Sequence, residues 1–134
     1  MKIVIDCNVL ISAGLTNGLC REVLKQSLQQ CEIFLSSEVI LEYLLVSRRE
    51  KFRAHQHYLE QLIEAIAQAA NVIKPEVTSF KLPDFHDQKY IDLAISAKVD
   101  FLITGNLIDF PEKVYESVVV LSPRDYLNLL TSSC

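Results

Sequence analysis

Acidic side chains in separated stretches of the 134-residue chain carry the chemistry that the sequence offers. Asp6 closes the short apolar run KIVID, and Glu42 interrupts the apolar stretch VILEYLLV. Asp84 and Asp87 fall in DFHDQK, and Thr104, Asn106 and Asp109 follow the apolar run FLI. An acid inside an apolar stretch is costly to bury unless a cation or hydrogen bonds meet it. Carboxylates that converge without a cation repel one another and raise one another's pKa, and a divalent metal ion resolves both problems. Oxygen donors with no cysteine or histidine cluster select Mg²⁺ or Mn²⁺ over Zn²⁺. Such an ion lowers the pKa of a bound water, holds a phosphate and offsets charge on a leaving oxygen, which is the chemistry of phosphodiester hydrolysis.

The elements that must position these groups follow from the hydrophobic pattern. KIVID at 2–6 predicts a buried strand with Asp6 at its C-terminal end. A short segment with Gly14 and Gly18 leads to an amphipathic helix over 19–30, in which Leu19, Val23 and Leu28 share a face. EIFLS at 32–36 predicts a second strand, and Ser37 with Glu38 opens a serine-capped helix through VILEYLLVSRR. A long helix over 55–70 precedes NVIKP, a third strand, and a loop running through Pro83. A helix begins at Asp87, DFLIT at 100–104 is a fourth strand, and Gly105 with Asn106 forms a turn. VVVL at 118–121 is a fifth strand, and Ser122-Pro123 opens the last helix, with proline at its first position. Strands alternating with helices predict a parallel sheet covered on both faces. Ligands of such sheets bind beyond the carboxyl ends of the strands, so Asp6 and the segment from Thr104 to Asp109 face one crevice. Strand logic alone does not bring Glu42 and Asp87 there.

The length fits a single domain over 1–134. Half the residues are hydrophobic, but in runs far short of the roughly 20 needed to span a membrane. The opening MKIVID lacks a signal-peptide apolar stretch, so the cytoplasm is the expected location. A net charge of −4 counts against binding nucleic acid through a general basic surplus. Arg48, Arg49, Lys51 and Arg53 nevertheless form a basic stretch, either a rim that contacts nucleic acid or the solvated end of a helix. Cys7, Cys20, Cys31 and Cys134 show no CxxC pairing and read as buried or idle thiols. Asp92, Asp100, His55 and His57 read as surface residues, and Tyr43, Leu44 and Leu45 as core or dimer interface.

The opening IDCNVLIS, the mid-chain SSEVILEYLLV, then DFHDQKYIDLAISAKVDFLITGNLIDFP and the closing VVVLSPRDYLNLL resemble PIN domains. The resemblance covers nearly the whole chain in the right order, and is strongest to the toxin ribonucleases of bacterial toxin–antitoxin pairs. It implies a three-layer α/β/α sandwich around a parallel sheet of four to five strands. It further implies a Mg²⁺- or Mn²⁺-dependent endoribonuclease whose catalytic and metal-binding residues are Asp6, Glu42, Asp87 and Asn106. Asn8 matches the polar residue two after the first acid, and Thr104 the hydroxyl that orients the site. Asn106 stands where many relatives have Asp, and His86 and Gln88 where neighbours are often acidic. Asp84 or Asp109 compensates. The same likeness implies an RNA substrate, a cognate antitoxin, and a homodimer through the apolar surface from Leu41 to Val46.

Three other readings compete. A haloacid-dehalogenase-like phosphatase needs a second acid two residues after the first, where this chain has Asn8. A receiver domain needs an acidic pair after the first strand and a lysine after the last, where Cys7 and Ser122 stand. A catalytically weakened PIN fold serving as a binding or scaffold module is the serious rival; Asn106 supports it, and Asp6, Glu42 and Asp87 speak against it.

Overall fold

The computed structural model describes residues 1–132, so Cys134 lies outside the described residues. The chain forms β1 (Lys2–Ile5), α1 (Cys7–Leu15), α2 (Leu19–Gln30), β2 (Glu32–Leu35), α3 (Ser37–Ser47) and α4 (Gln56–Ala69). There follow β3 (Asn71–Val72), α5 (Gln88–Ala97), β4 (Phe101–Ile103), β5 (Val114–Tyr115), β6 (Val118–Leu121) and α6 (Pro123–Ser132). The strands make one sheet in the order β3-β2-β1-β4-β6-β5, parallel except for β5, which pairs antiparallel with β6. Ile3, Val4 and Ile5 are all fully buried, although successive side chains of a strand point to opposite faces. Both faces of β1 are therefore covered, as expected of a central parallel strand. α5 packs on β1, β2 and β4, α2 and α4 on β2, and α6 on β6. The layered α/β architecture is thus the expected one, with a sixth short strand added at the edge.

Several local expectations are corrected. The short segment after β1, to which the sequence assigns no element, holds a helix, Cys7–Leu15, with six of its nine residues buried. Its only polar residues, Asn8 and Ser12, form one narrow stripe, so little contrast marks it in the sequence. Gly14 lets α1 approach α4, since a Cβ there would lie 2.1 Å from Cδ2 of the buried Leu59. Ser36 rather than Ser37 caps α3, its hydroxyl accepting the Val39 N–H at 3.2 Å. The basic stretch begins at the C-terminal end of α3, where Arg48 is the C-cap, and continues into a 3₁₀ turn over Glu50–His55. β3 is two residues long instead of five. Asp92 is not on the surface; it is buried and accepts from the Thr78 N–H at 3.0 Å, the Thr78 hydroxyl at 2.8 Å and the Gln88 amide at 3.0 Å. That pins the long connection between β3 and α5 onto the helix. Asp100, His55 and His57 are exposed.

β1 holds β2 on one side and β4 on the other, and the chain completes β2 and β3 before it crosses to β4. The strand order therefore reverses between β1 and β4, and the crevice for a ligand opens at the carboxyl ends of these two strands. Asp6 follows β1 directly and Thr104 follows β4.

Candidate active site

Two parallel strands in register deliver the first two side chains. Ile5 pairs with Ile103, the Asp6 N–H donates to the Ile103 carbonyl at 2.9 Å, and Asp6 and Thr104 leave the sheet side by side. The Thr104 hydroxyl, fully buried, donates to Oδ2 of Asp6 at 2.9 Å and accepts the Asn106 N–H at 3.0 Å. Asn8, in the first turn of α1, bridges the strands. Its Oδ1 accepts the Gly105 N–H at 2.9 Å, while Nδ2 lies 3.4 Å from Asp6 Oδ2 and 3.5 Å from the Thr104 hydroxyl.

α3 brings in Glu42 and α5 receives it. The buried Tyr90 hydroxyl donates to Glu42 Oε1 and accepts the Cys7 N–H at 3.2 Å, and Lys89 Nζ lies 2.9 Å from Oε2. Asp87 stands just before α5, at the end of a 3₁₀ turn whose start Asp84 caps by accepting the His86 N–H at 2.9 Å. Asp87 makes no side-chain cap bond to its own helix, which leaves its carboxylate free for another use. The Asn106 amide donates to Oδ2 of Asp109 at 2.8 Å and holds that acid beside the site.

The electrostatics show that these segments share one field. Burial pushes Asp6 up from 3.8 to about 6; Glu42 adds to the rise, while the Thr104 hydroxyl and the amides of Cys7 and Asn8 oppose it. Asp87 is pushed up to about 7, by burial first and then by the charges of Asp6, Asp109, Asp84 and Glu42. Cys7 next door is raised to about 12 by burial and by Glu42 and Asp6, so its thiol is idle at neutral pH. Cys20 and Cys31 are free as well.

A groove of about 470 Å³ runs from Asp6, Asn8 and Glu42 past Ile11 and Leu15 to Arg49 and Phe52. Of the basic stretch, Arg49 alone lines it. Arg48 faces Glu60 at 3.4 Å, Arg53 faces Glu50 at 3.5 Å, and Lys51 lies over the Phe52 ring. Among the described residues, no group of three or more His, Cys, Asp or Glu side chains is drawn together tightly enough to hold a metal ion as it stands. The donor set nevertheless fits a hard dication. It is all oxygen, and two of its carboxyl groups, Asp6 and Asp87, have their pKa raised by burial and by neighbouring carboxylates, which a cation would relieve.

The model of the PIN domain family matches residues 2–107, a span that holds Asp6, Glu42, Asp87, Thr104 and Asn106. The chain belongs to the PIN domain family. Two solved structures share the PIN fold with it. One is a chain of VapBC2 from Rickettsia felis bound to a DNA fragment from their promoter, 14% identical, with a TM-score of 0.62 over 91% of this chain and 98% of that one. The other belongs to VapBC-1 from nontypeable Haemophilus influenzae, 14% identical, with a TM-score of 0.63 over 92% and 99%. Among curated proteins no relative matches.

Lys89 and Tyr90 are the site residues that the sequence reading missed. A signal was present: Lys89 lies in the first turn of a helix, where the dipole disfavours a cation, and such a lysine needs an acid from elsewhere.

Proposed function

We propose that this PIN domain is a Mg²⁺- or Mn²⁺-dependent endoribonuclease, the toxin of a toxin–antitoxin pair, acting in the cytoplasm. One observation carries the reading: acids from separate segments act on one carboxyl, since burial and then the charges of Asp6, Asp109, Asp84 and Glu42 all raise Asp87. Asp6, Glu42 and Asp87 are the residues that would hold the ion. Asp109, oriented by Asn106, supplies the fourth carboxylate that position 106 lacks. A bound ion supplies an activated water, a grip on the scissile phosphate and charge relief for the leaving oxygen. Thr104 and Asn8 keep Asp6 oriented through its Oδ2, and the groove between Asp6 and Arg49 gives the RNA strand its path, with Arg49 against phosphate. The fold shared with chains of VapBC complexes supports a cognate antitoxin, and Leu41 and Leu45, 55% and 60% exposed on α3, support a homodimer. No helix among the described residues is long and apolar enough to cross a membrane.

The test is cleavage of single-stranded RNA by the purified chain with Mg²⁺ or Mn²⁺ and with EDTA. Cleavage is expected with metal and none with chelator, and readdition of metal restores it. Full cleavage in EDTA overturns the reading. Metal binding without any cleavage favours the binding-module alternative.

A further inference from the structure

Glu42 gives one oxygen to each of two consecutive residues of α5, and the two partners differ in kind. Tyr90 is neutral, fully buried and tied at the same hydroxyl to the Cys7 backbone, so it cannot leave without opening the core. Lys89 is a compact charge on a flexible stem. Its ammonium also donates to the His86 carbonyl and lies 5.6 Å from the centre of the Tyr90 ring, so two other partners are in place if Glu42 is withdrawn. The ion pair is sheltered, with side chains 15% and 27% exposed. Lys89 also stands in the first turn of α5, where the helix dipole opposes a cation. Glu42 is what offsets that opposition, and a dication near Asp6 and Asp87 would increase it.

We propose that Lys89 is a resident counter-cation of the acidic site, holding Glu42 while no metal is bound and giving it up in exchange for the divalent ion. The proposal rests on the metal-dependent reading above. Tyr90 keeps Glu42 anchored by Oε1 during the exchange, and Oε2 is the oxygen that Lys89 releases. Lys89 therefore sets how tightly the ion is held, because every binding event breaks the Lys89–Glu42 pair and brings two like charges close. Each of these effects weakens metal binding, and removing the ammonium removes both.

Calorimetric titration of Mn²⁺ into the full chain tests this without reference to cleavage, comparing wild type with Lys89→Gln, Lys89→Met and Lys89→Arg. The neutral variants are expected to bind Mn²⁺ more tightly, on the order of tenfold for the loss of one nearby unit charge facing a dication. Lys89→Arg keeps the charge and should stay near wild type. The methionine variant preserves the apolar stem and its packing, so a folding defect in the glutamine variant does not decide the matter. In a Glu42→Gln background the gain from Lys89→Gln should shrink, because the pair to be broken is already gone. Unchanged or weaker Mn²⁺ binding in folded Lys89→Met overturns the proposal, as does an undiminished gain in the Glu42→Gln background. Absence of Mn²⁺ binding by the wild type would instead overturn the metal-dependent reading and this inference with it.

Discussion

At the scale of single residues, Asp6 and Asp87 are set apart because burial and like charge act on them in the same direction. Perturbed carboxyls of this kind concentrate at functional sites. Asp6→Asn and Asp87→Asn keep the side-chain size and remove one carboxylate charge each. Each is expected to lower RNA cleavage on the order of 100-fold or more at saturating metal, comparable to deleting one stabilising group in other enzymes. Both variants should keep a native circular dichroism spectrum and, without metal, melt no lower than wild type, since the deleted charge was opposed in the folded state. Wild-type cleavage by either one would reassign that residue to structure. Asp92 shows the limit of the same reasoning applied to sequence. Five positions beyond Asp87 it reads as off-site and solvated, but only the fold shows that Thr78 and Gln88 supply it with buried donors.

At the scale of elements, legibility in the sequence tracks contrast. α2 and α4 each carry a polar and an apolar face and are visible from their spacing, β1 and β6 are visible as β-branched apolar runs, and β4 as a short apolar one. α1 is hidden because CNVLISAGL sets only Asn8 and Ser12 against its apolar residues, and β5 because two residues carry no period. The same packing that hides α1 makes Gly14 exacting. Alanine at that position gains roughly 1 kcal/mol of helix propensity, but its Cβ would fall 2.1 Å from Cδ2 and 2.8 Å from Cγ of Leu59. Leu59 is fully buried, so α1 or α4 must shift to make room. Overpacking of this kind costs about 1–3 kcal/mol, which meets or exceeds the propensity gain. Gly14→Ala should therefore lower the denaturant midpoint without changing the slope of the unfolding transition. Gly14→Val, larger and β-branched, should lower it further. A midpoint raised by alanine would show that the α1–α4 contact is looser than the geometry implies.

At the scale of the whole molecule, the sheet's reversal between β1 and β4 decides where the acids meet, and this is the part of the site that one-dimensional reading could not supply. The sequence places Asp6 and Thr104 at strand ends, hence in one crevice, but Glu42 and Asp87 come within electrostatic reach of Asp6 because α5 packs across β1, β2 and β4 and meets α3. A fold that gathers acids in this way should show it in the pH dependence of its stability. Asp6 and Asp87 have folded-state values of about 6 and about 7, above the 3.8 of a free aspartate, so the metal-free native state binds more protons than the unfolded chain between these limits. The stability they contribute is fully present below about pH 4 and is lost as pH rises through 6 to 7. For Asp6 the move from 3.8 to about 6 corresponds to about 3 kcal/mol. Metal acts in the opposite sense, because it binds the ionised carboxylates of the folded state alone and so stabilises more as they deprotonate. Thermal melts at pH 5 and pH 8, with EDTA and with Mn²⁺, separate the two effects. Without metal, the wild type should lose more melting temperature between pH 5 and pH 8 than an Asp6→Asn, Asp87→Asn double variant does, and with Mn²⁺ its gain should be larger at pH 8. Equal pH sensitivity of the two proteins in EDTA would show that these carboxyls are not held protonated by the fold, and a Mn²⁺ shift that is greater at pH 5 would place the ion elsewhere.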